Sequence, residues 1–328
     1  MVRRLIHYGA KVCATNRNGR TPLHMSAGLG ETNITEALLR AGADIHATDV
    51  SGYTALLCAC ASRAPASVRL LLENGADVSV VQSRGMTPLM CASSRGCVPT
   101  IEILIGVGVD VNAAYLSGKT PLQMAVKNGL PEITEALVQA GADINAISEE
   151  GGSALLYACS MSTPEEIHFL LKNGANVCGI ALFNMTPLDL AATRTSPRIT
   201  EMLLQAGANV NGASPFGWTP LHHACRGGEI ATIRVLVENG ADLYATSSDN
   251  QSTALGLTRR FRTVVDARCI EDVIATEEEA REVARIARLD AVAMGHGHGR
   301  LGARSRLRYL DQGVMQMVLQ YTTQSTSP

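Results

Sequence analysis

The chain has 328 residues, of which 46% are hydrophobic and 18% charged, so it can bury a core and wholesale disorder is excluded. Its 28 Lys and Arg residues nearly balance 30 Asp and Glu residues, and this formal net charge of -2 argues against a nucleic-acid partner. Aromatic residues make up only 4% while there are 30 glycines, which indicates a thin core of small side chains rather than a deep catalytic pocket.

The first ten residues, MVRRLIHYGA, are too polar for a signal peptide, and no stretch approaches the roughly 18 apolar residues of a membrane span. Nine cysteines, an odd number scattered along the chain, fit reduced thiols better than a disulfide framework. We therefore expect a cytoplasmic protein without membrane insertion, and the sequence also allows a nuclear location.

Two sequence signals recur in one 33-residue frame. Gly-Ala pairs begin at Gly9, Gly42, Gly75, Gly141, Gly174, Gly207 and Gly240, with Gly108-Val109 in the same register. The tetrapeptides TPLH, TALL, TPLM, TPLQ, SALL, TPLD and TPLH begin at Thr21, Thr54, Thr87, Thr120, Ser153, Thr186 and Thr219. Two signals in one register indicate tandem repeats of a single structural unit.

The physical chemistry of these residues predicts a helix pair in each repeat. Thr or Ser is a favoured helix N-cap, and Pro is favoured at the first helical position, where its missing N–H costs nothing. A second apolar helix follows, with residues such as Ile34, Ala37 and Leu38 at helical spacing. Gly42 and its equivalents then end that helix, and the next segment, with its turn glycine, is typical of a hairpin.

This pattern resembles the ankyrin repeat family, whose T-P-L-H-x-A signature recurs every 33 residues. The resemblance implies an all-α-dominated repeat solenoid of stacked helix-turn-helix units with β-hairpin tips. We assign residues 1–275 to the array, with a half repeat at 1–15, seven full repeats at about 16–247 and a degenerate cap at 248–275, followed by a helical tail at 276–328. Because the chain starts in mid-repeat without a polar outer face, we expect either an array that starts upstream or a misassigned Met1.

The turn between the paired helices varies in an informative way. Four repeats have Gly30, Gly96, Gly129 or Gly228 there, and three have Arg63, Ser162 or Thr195 instead. In those three, a proline two residues later is predicted to start the second helix.

No motif in the sequence supports catalysis, a bound metal or a cofactor. Cys60, Cys159 and Cys225 occupy a position where other repeats have Ala, so we expect small buried side chains rather than zinc ligands, and we interpret Cys58 in the same way. We expect His24, His222 and His223 to tie down neighbouring hairpin backbone. The chain lacks G-x-S-x-G, P-loop and kinase signatures, so we expect no enzyme.

The resemblance to ankyrin arrays implies a concave face, lined by the hairpin tips and the ends of the first helices, that binds partner proteins. Large apolar and basic side chains there are the expected interface anchors. The predicted partner-binding residues are Tyr53, Met86, Arg95, Lys127, Phe183, Met185, Arg194, Phe216, Trp218 and Arg226. We expect the Trp218 ring to project into solvent from its tip, although such rings can also pack against the next hairpin. The leading hypothesis is a non-enzymatic protein-interaction scaffold.

The C-terminal tail suggests a second hypothesis. The segment LRYLDQGVMQMVLQY is similar to the opening helix of an F-box, although it lacks the usual Pro. The apolar face of this predicted recruitment helix contains Leu310, Val314, Met317, Val318 and Tyr321. The resemblance implies a substrate-receptor adaptor of a ubiquitin ligase, and the alternative is a helix packed on the end of the array.

Three hairpin asparagines, Asn112, Asn145 and Asn211, lie eight residues after a leucine of the second helix. This setting is similar to the sites at which ankyrin-type proteins are hydroxylated by an asparaginyl hydroxylase. The alternative is that Asn simply suits this hairpin position.

Overall fold

A computed structural model describes residues 8–179, 185–194, 196–227, 229–248, 252–254 and 256–257, together with Arg4, 272–273, 275–276, Arg281 and Arg285. The residue contacts divide the chain into two compact units, which we call unit 1 (1–191 and 205–208) and unit 2 (192–204 and 209–328). Within the described residues, no helix is long and apolar enough to cross a membrane.

Short helices in pairs, one pair per repeat, make up the described part of the chain. In chain order they are α1 Pro22–Gly28, α2 Thr32–Arg40, α3 Ala55–Ala61, α4 Pro65–Glu73, α5 Pro88–Arg95, α6 Val98–Gly106, α7 Pro121–Lys127, α8 Pro131–Gln139, α9 Ala154–Met161, α10 Pro164–Lys172, α11 Pro187–Thr193, α12 Pro197–Gln205, α13 Pro220–Gly227 and α14 Ile230–Glu238. Each helix has seven to nine residues, which is too short to be stable alone, so the repeats depend on packing against their neighbours.

The predicted caps and core residues explain where the first helix of each repeat begins. The Thr54 hydroxyl accepts the Leu57 backbone N–H at 3.3 Å, and the Thr87 hydroxyl accepts the Met90 N–H at 3.2 Å. In unit 1, α1, α3, α5, α7 and α9 pack in succession as one layer, and α2, α4, α6 and α8 form a second layer. Buried leucines such as Leu23 fill the space between the layers, as the repeat frame predicted.

The tips are turns whose backbones bond from one repeat to the next. The Val50 N–H donates to the Asn18 carbonyl at 3.0 Å, and the Ser83 N–H donates to the Ser51 carbonyl at 3.1 Å. The predicted β-hairpins therefore exist as tight turns, and the part of the chain that the structure describes has a single isolated bridge, between Thr246 and Thr253, rather than regular strands.

Among the described residues, two non-glycine residues adopt the left-handed backbone that glycine provides in other repeats, while Thr195, the third predicted replacement, lies outside them. Arg63 has φ 59° and Ser162 has φ 57°, and the prolines that follow them, Pro65 and Pro164, begin α4 and α10 as predicted. A left-handed residue with a side chain costs on the order of 1 kcal/mol. Both repeats therefore keep the glycine geometry without the glycine.

The three asparagines singled out in the sequence each connect the segment after the second helix of one repeat to the same segment of the next repeat. The Asn112 side-chain carbonyl accepts the Asp143 N–H at 2.7 Å, and its amide nitrogen lies 3.4 Å from the Gly141 carbonyl. Asn145 and Asn211 make the same two bonds from their own repeats, at 2.7 to 3.1 Å. The structure thus provides a structural reason for Asn at this position, and hydroxylation of these side chains stays a prediction.

Candidate protein-binding surface

Three rows of side chains form the candidate binding surface of unit 1. The tip row precedes each helix cap and consists of Arg20, Tyr53, Met86 and Lys119. The floor row lies four residues after each cap and consists of Met25, Cys58, Cys91, Met124 and Tyr157. The turn row lies at the connection between the paired helices and consists of Arg63, Arg95 and Lys127. We refer to the three rows together as the recognition face.

The two cations of the tip row are paired with carboxylates of the chain itself. The Arg20 Nε lies 2.9 Å from the Asp49 Oδ2, and the Lys119 Nζ lies 2.9 Å from the Glu150 Oε2. Burial raises the pKa of Asp49, but hydrogen bonds from the Tyr53 backbone and from Arg20 outweigh it and hold that pKa below its usual value. These tip cations are therefore already neutralised within the chain.

The floor row is apolar, and its side chains are most deeply buried at the two cysteines. Cys58 is 7% exposed and Cys91 is 1% exposed, whereas Met25 at one end of the row is 45% exposed. Burial raises the pKa of Cys58 to about 11 and that of Cys91 to about 12, so both are neutral thiols at physiological pH. Burial also raises the pKa of half-buried Tyr53 in the tip row.

The turn row presents exposed cations. Arg63, Arg95 and Lys127 are all exposed, and the Arg63 Nη2 donates to the Gly96 carbonyl at 2.7 Å. The Lys127 Nζ lies 6.0 Å from the centroid of the Tyr157 ring, at the outer limit of a cation–π contact. No acidic side chain among the described residues forms an ion pair with these three cations.

An aromatic cluster lies at the equivalent positions of unit 2. The Trp218 ring centroid is 5.1 Å from that of His223, and the Arg226 guanidinium carbon is 5.8 Å from the Trp218 centroid. Trp218 is half-buried, so the expectation that its ring projects freely into solvent is wrong: the ring packs on the helix that it precedes. Phe216, two residues earlier, is 64% exposed at the tip.

The remaining predicted partner-binding residues differ in how far their side chains are exposed. Met86 and Met185 are half-buried, while Arg194 is exposed. Phe183 lies outside the described residues, as do all five residues of the predicted recruitment helix. Their roles stay predictions.

The prediction for the motif histidines is confirmed for two of the three. The His24 Nε2 lies 2.8 Å from the Tyr53 carbonyl, and the His222 Nε2 lies 3.2 Å from the Ser252 carbonyl. In both residues Nδ1 accepts the backbone N–H of the cap residue, so Nε2 carries the proton and donates it to that carbonyl. For His223 the prediction is wrong: among the described residues its buried Nε2 has no hydrogen-bond partner. Burial, then His222 and Arg226, lower its pKa to about 4.

The cysteines that lie six residues after the cap of a first helix behave as small core residues. Cys60, Cys159 and Cys225 are each 0% exposed. Burial raises their pKa values, which opposes the thiolate form that metal ligation and nucleophilic chemistry require. Within the described residues, no three His, Cys, Asp or Glu side chains come together as a metal site.

Two parts of the recognition face were missed from the sequence. Arg63 was interpreted only as a replacement for glycine, and the floor row was not identified as a surface. The available signal was the alignment of the repeats, which places a basic residue near the inter-helix turn in three successive repeats.

Comparison with protein-family models identifies the class. A model of three ankyrin repeats matches residues 1–82 and 77–148, and a single ankyrin repeat model matches 183–214 and 216–248. The chain therefore belongs to the ankyrin repeat family. Ankyrin repeat proteins are generally non-enzymatic interaction modules, so the fold and the family define a protein-interaction scaffold.

Among solved structures, the crystal structure of the human ASB11 ankyrin repeat domain is similar to this chain at 27% sequence identity, with a TM-score of 0.60. The match covers 68% of this chain and 99% of the ASB11 chain. A comparison with curated proteins finds no match.

Proposed function

We propose that the chain binds partner proteins through its recognition face and through the Trp218 cluster of unit 2. The observation that carries the proposal is that large side chains at these positions are held in place before any partner arrives. The Trp218 ring lies beside His223 and Arg226, at 5.1 and 5.8 Å, and the Lys127 Nζ lies 6.0 Å from the Tyr157 ring centroid. Side chains that are already ordered lose little conformational entropy on binding, which favours affinity.

The repeats themselves support the choice of surface. Cap and core positions are nearly uniform from repeat to repeat, since they hold Thr or Ser, Leu and Ala. The tip row, by contrast, varies among Arg20, Tyr53, Met86 and Lys119, and the fold does not need these particular side chains. Variation confined to one surface of a uniform frame is what a recognition surface requires.

The test is quantitative affinity purification from native cells with the full chain and two variants. The face variant carries Tyr53→Ser, Met86→Ser and Trp218→Ala. The control variant carries Glu73→Gln, Glu102→Gln and Glu201→Gln, three exposed positions on second helices. We expect the face variant to capture at least tenfold less of the partners, because anchor residues carry most of the binding energy. The control variant should capture as much as the wild type.

Thermal melting of the same variants separates binding from folding. Because the Trp218 ring packs on His223, we expect Trp218→Ala to cost about 1 kcal/mol of stability, more than an exposed ring would. Equal capture by the wild type and the face variant, or loss of partners only in the control variant, contradicts the proposal.

The ubiquitin-ligase adaptor is the second hypothesis, and it rests on the F-box-like segment alone. In the same purification, a full chain carrying Leu310→Asp and Val314→Asp tests it. The adaptor hypothesis predicts that ubiquitin-ligase subunits disappear while partners of the recognition face remain. Unchanged ligase subunits, or none in the wild-type sample, would end this hypothesis.

A further inference from the structure

We infer that the turn row of unit 1 binds the carboxylates of an extended acidic peptide segment, in which an acidic side chain recurs at every third residue. The three cations concerned are Arg63, Arg95 and Lys127. The inference rests on the proposed function, because it states the chemistry of the partner that the recognition face accepts.

The two rows of cations differ in whether the chain itself neutralises them. Arg20 and Lys119 of the tip row lie 2.9 Å from carboxylates of the chain itself. None of the turn-row cations forms an ion pair within 4 Å among the described residues, although Lys127 is near enough to Glu150 to help lower the pKa of that carboxyl. Their turns, 61–64, 94–97 and 127–130, contain no Asp or Glu. A partner that supplies carboxylates along this row completes the ion pairs that the chain leaves open.

Arg63 occupies a backbone position that favours glycine. Three other described repeats have Gly30, Gly96 or Gly129 at this left-handed position, so the fold alone favours glycine there. Arg63 nevertheless occupies it, with φ 59°, and one guanidinium nitrogen is held by the Gly96 carbonyl directly after Arg95. A guanidinium has five N–H donors, so a fixed Arg63 retains donors for a carboxylate.

The spacing of the repeats determines the spacing of the acidic residues. Helices α3, α5 and α7 pack in succession, and packed helices lie about 8–10 Å apart. Three residues of an extended peptide span about 10 Å. One acidic side chain at every third residue therefore meets one cation of the turn row in each of three repeats.

The floor row indicates what the intervening residues are. Cys58 and Cys91 are short, neutral and almost completely buried, so the floor beside the cations is low and apolar there. Burying small or medium apolar side chains on this floor is favourable, whereas burying a second charge is not. The partner segment is therefore acidic along one edge and apolar between the acidic residues.

Fluorescence anisotropy with a defined probe tests the inference. The probe is a labelled nonapeptide of three Glu-Leu-Ser triplets, and the control probe has the same composition with its three Glu residues consecutive. We expect the full chain to bind the triplet probe at least threefold more tightly than the control probe. Binding should weaken as NaCl is raised from 50 to 500 mM, because exposed ion pairs are screened.

The variants are Arg63→Gly, Arg95→Gln and Lys127→Gln, singly and together. An exposed ion pair changes affinity by about 1.4- to 5-fold, so we expect about a threefold loss for each and tenfold or more for the triple variant. Arg63→Gly is the sharpest, because glycine suits φ 59° and the melting temperature should hold or rise while binding falls. Arg69→Gln, which removes an exposed cation on α4, is the matched control, and Arg40→Gln on α2 removes a cation that is already paired with Glu36.

Several outcomes overturn the inference. They are no binding of the triplet probe, equal affinity for the two probes, or equal losses in the Arg40 and Arg69 controls. Tighter competition by heparin than by unlabelled triplet peptide would also overturn it, because it would indicate a general polyanion site. If these results appear while the face variant still loses native partners, the inference fails and the proposed function stands. If the face variant keeps its partners, the proposed function fails.

Discussion

The repeat that begins at Thr54 and the repeat that begins at Thr219 share one frame but differ in the chemistry of their first helix. The third helical position is Leu57 in one and His222 in the other, and both side chains are 0% exposed. Leu57 packs as an apolar residue, whereas His222 accepts a hydrogen bond from the Thr219 backbone and donates one to the Ser252 carbonyl.

The next position extends the contrast. The Thr54 repeat has Cys58, a buried thiol with a pKa of about 11, and the Thr219 repeat has His223, an imidazole with a pKa of about 4. Both groups are neutral at pH 7, but only the imidazole gains a proton as the pH falls to about 4. The ankyrin frame therefore accepts polar or apolar side chains at these positions. Both ring nitrogens of His222 have hydrogen-bond partners, whereas the buried Nε2 of His223 has none among the described residues, and pH sensitivity depends on the residue chosen.

The largest expected effect tests what the two repeats share. A Cβ at Gly52 would lie 2.8 Å from the Ser83 nitrogen, and one at Gly217 would lie 2.9 Å from the Ser248 nitrogen, at φ +77° and +73°. Because strain and steric overlap add, we expect Gly52→Val and Gly217→Val each to lower stability by about 3 kcal/mol, measured by chemical denaturation.

Gly42→Val is the control for that pair of variants. Gly42 has φ +78°, yet nothing lies within 4 Å of its Cβ position, so only the backbone strain applies there and about half the loss is expected. If the tip variants lose no more than Gly42→Val, the close approach of neighbouring tips does not constrain the frame.

The second effect tests where the repeats differ. We expect His222→Leu to cost about 2 kcal/mol, because it leaves the Thr219 N–H and the Ser252 carbonyl without their partner. His222→Gln should cost less than about 1 kcal/mol, since Gln123 makes the equivalent bonds in another repeat, to the Thr120 N–H and the Gly152 carbonyl. If His222→Leu and His222→Gln have the same free energy of unfolding in chemical denaturation, the two hydrogen bonds of His222 are dispensable for stability.

The smallest effect concerns pH. The folded-state pKa of His223 lies below its ordinary value near 6.5, so protonation favours the unfolded chain. The stability that depends on neutral His223 is complete above pH 6.5 and declines as the pH falls toward about 4. Between pH 7 and 5.5 we expect a loss of about 1 kcal/mol relative to a His223→Cys variant, which adopts the residue of the Thr54 repeat.

Denaturation curves of the two proteins at several pH values measure this difference. The other titrating groups are common to both proteins, so their contributions cancel in the comparison. If the difference in free energy of unfolding between the two proteins is the same at pH 7 and at pH 5.5, the imidazole is solvated in the native state and the prediction fails.

The frame could be predicted from the sequence because caps, glycines and leucines act locally and recur at a fixed period. That period placed Thr54, Pro65 and Gly52 correctly without any knowledge of tertiary contacts. The Trp218 cluster could not be predicted, since whether a ring turns outward or packs on His223 depends on its rotamer and on contacts beyond the repeat pattern. Arg63 was missed for a related reason: a sequence shows that glycine is replaced, but not that the backbone stays left-handed.

The asparagine bridges have a consequence for how the array comes apart. Each of Asn112, Asn145 and Asn211 lies in one repeat, while the N–H and the carbonyl that it binds belong to the next. Opening one repeat therefore breaks hydrogen bonds that also hold its neighbour, so that the contact between repeats, rather than the single repeat, acts as the cooperative element. Under a pulling force or during backbone hydrogen exchange, loss of structure should spread from a repeat to its neighbour wherever such an asparagine links the two.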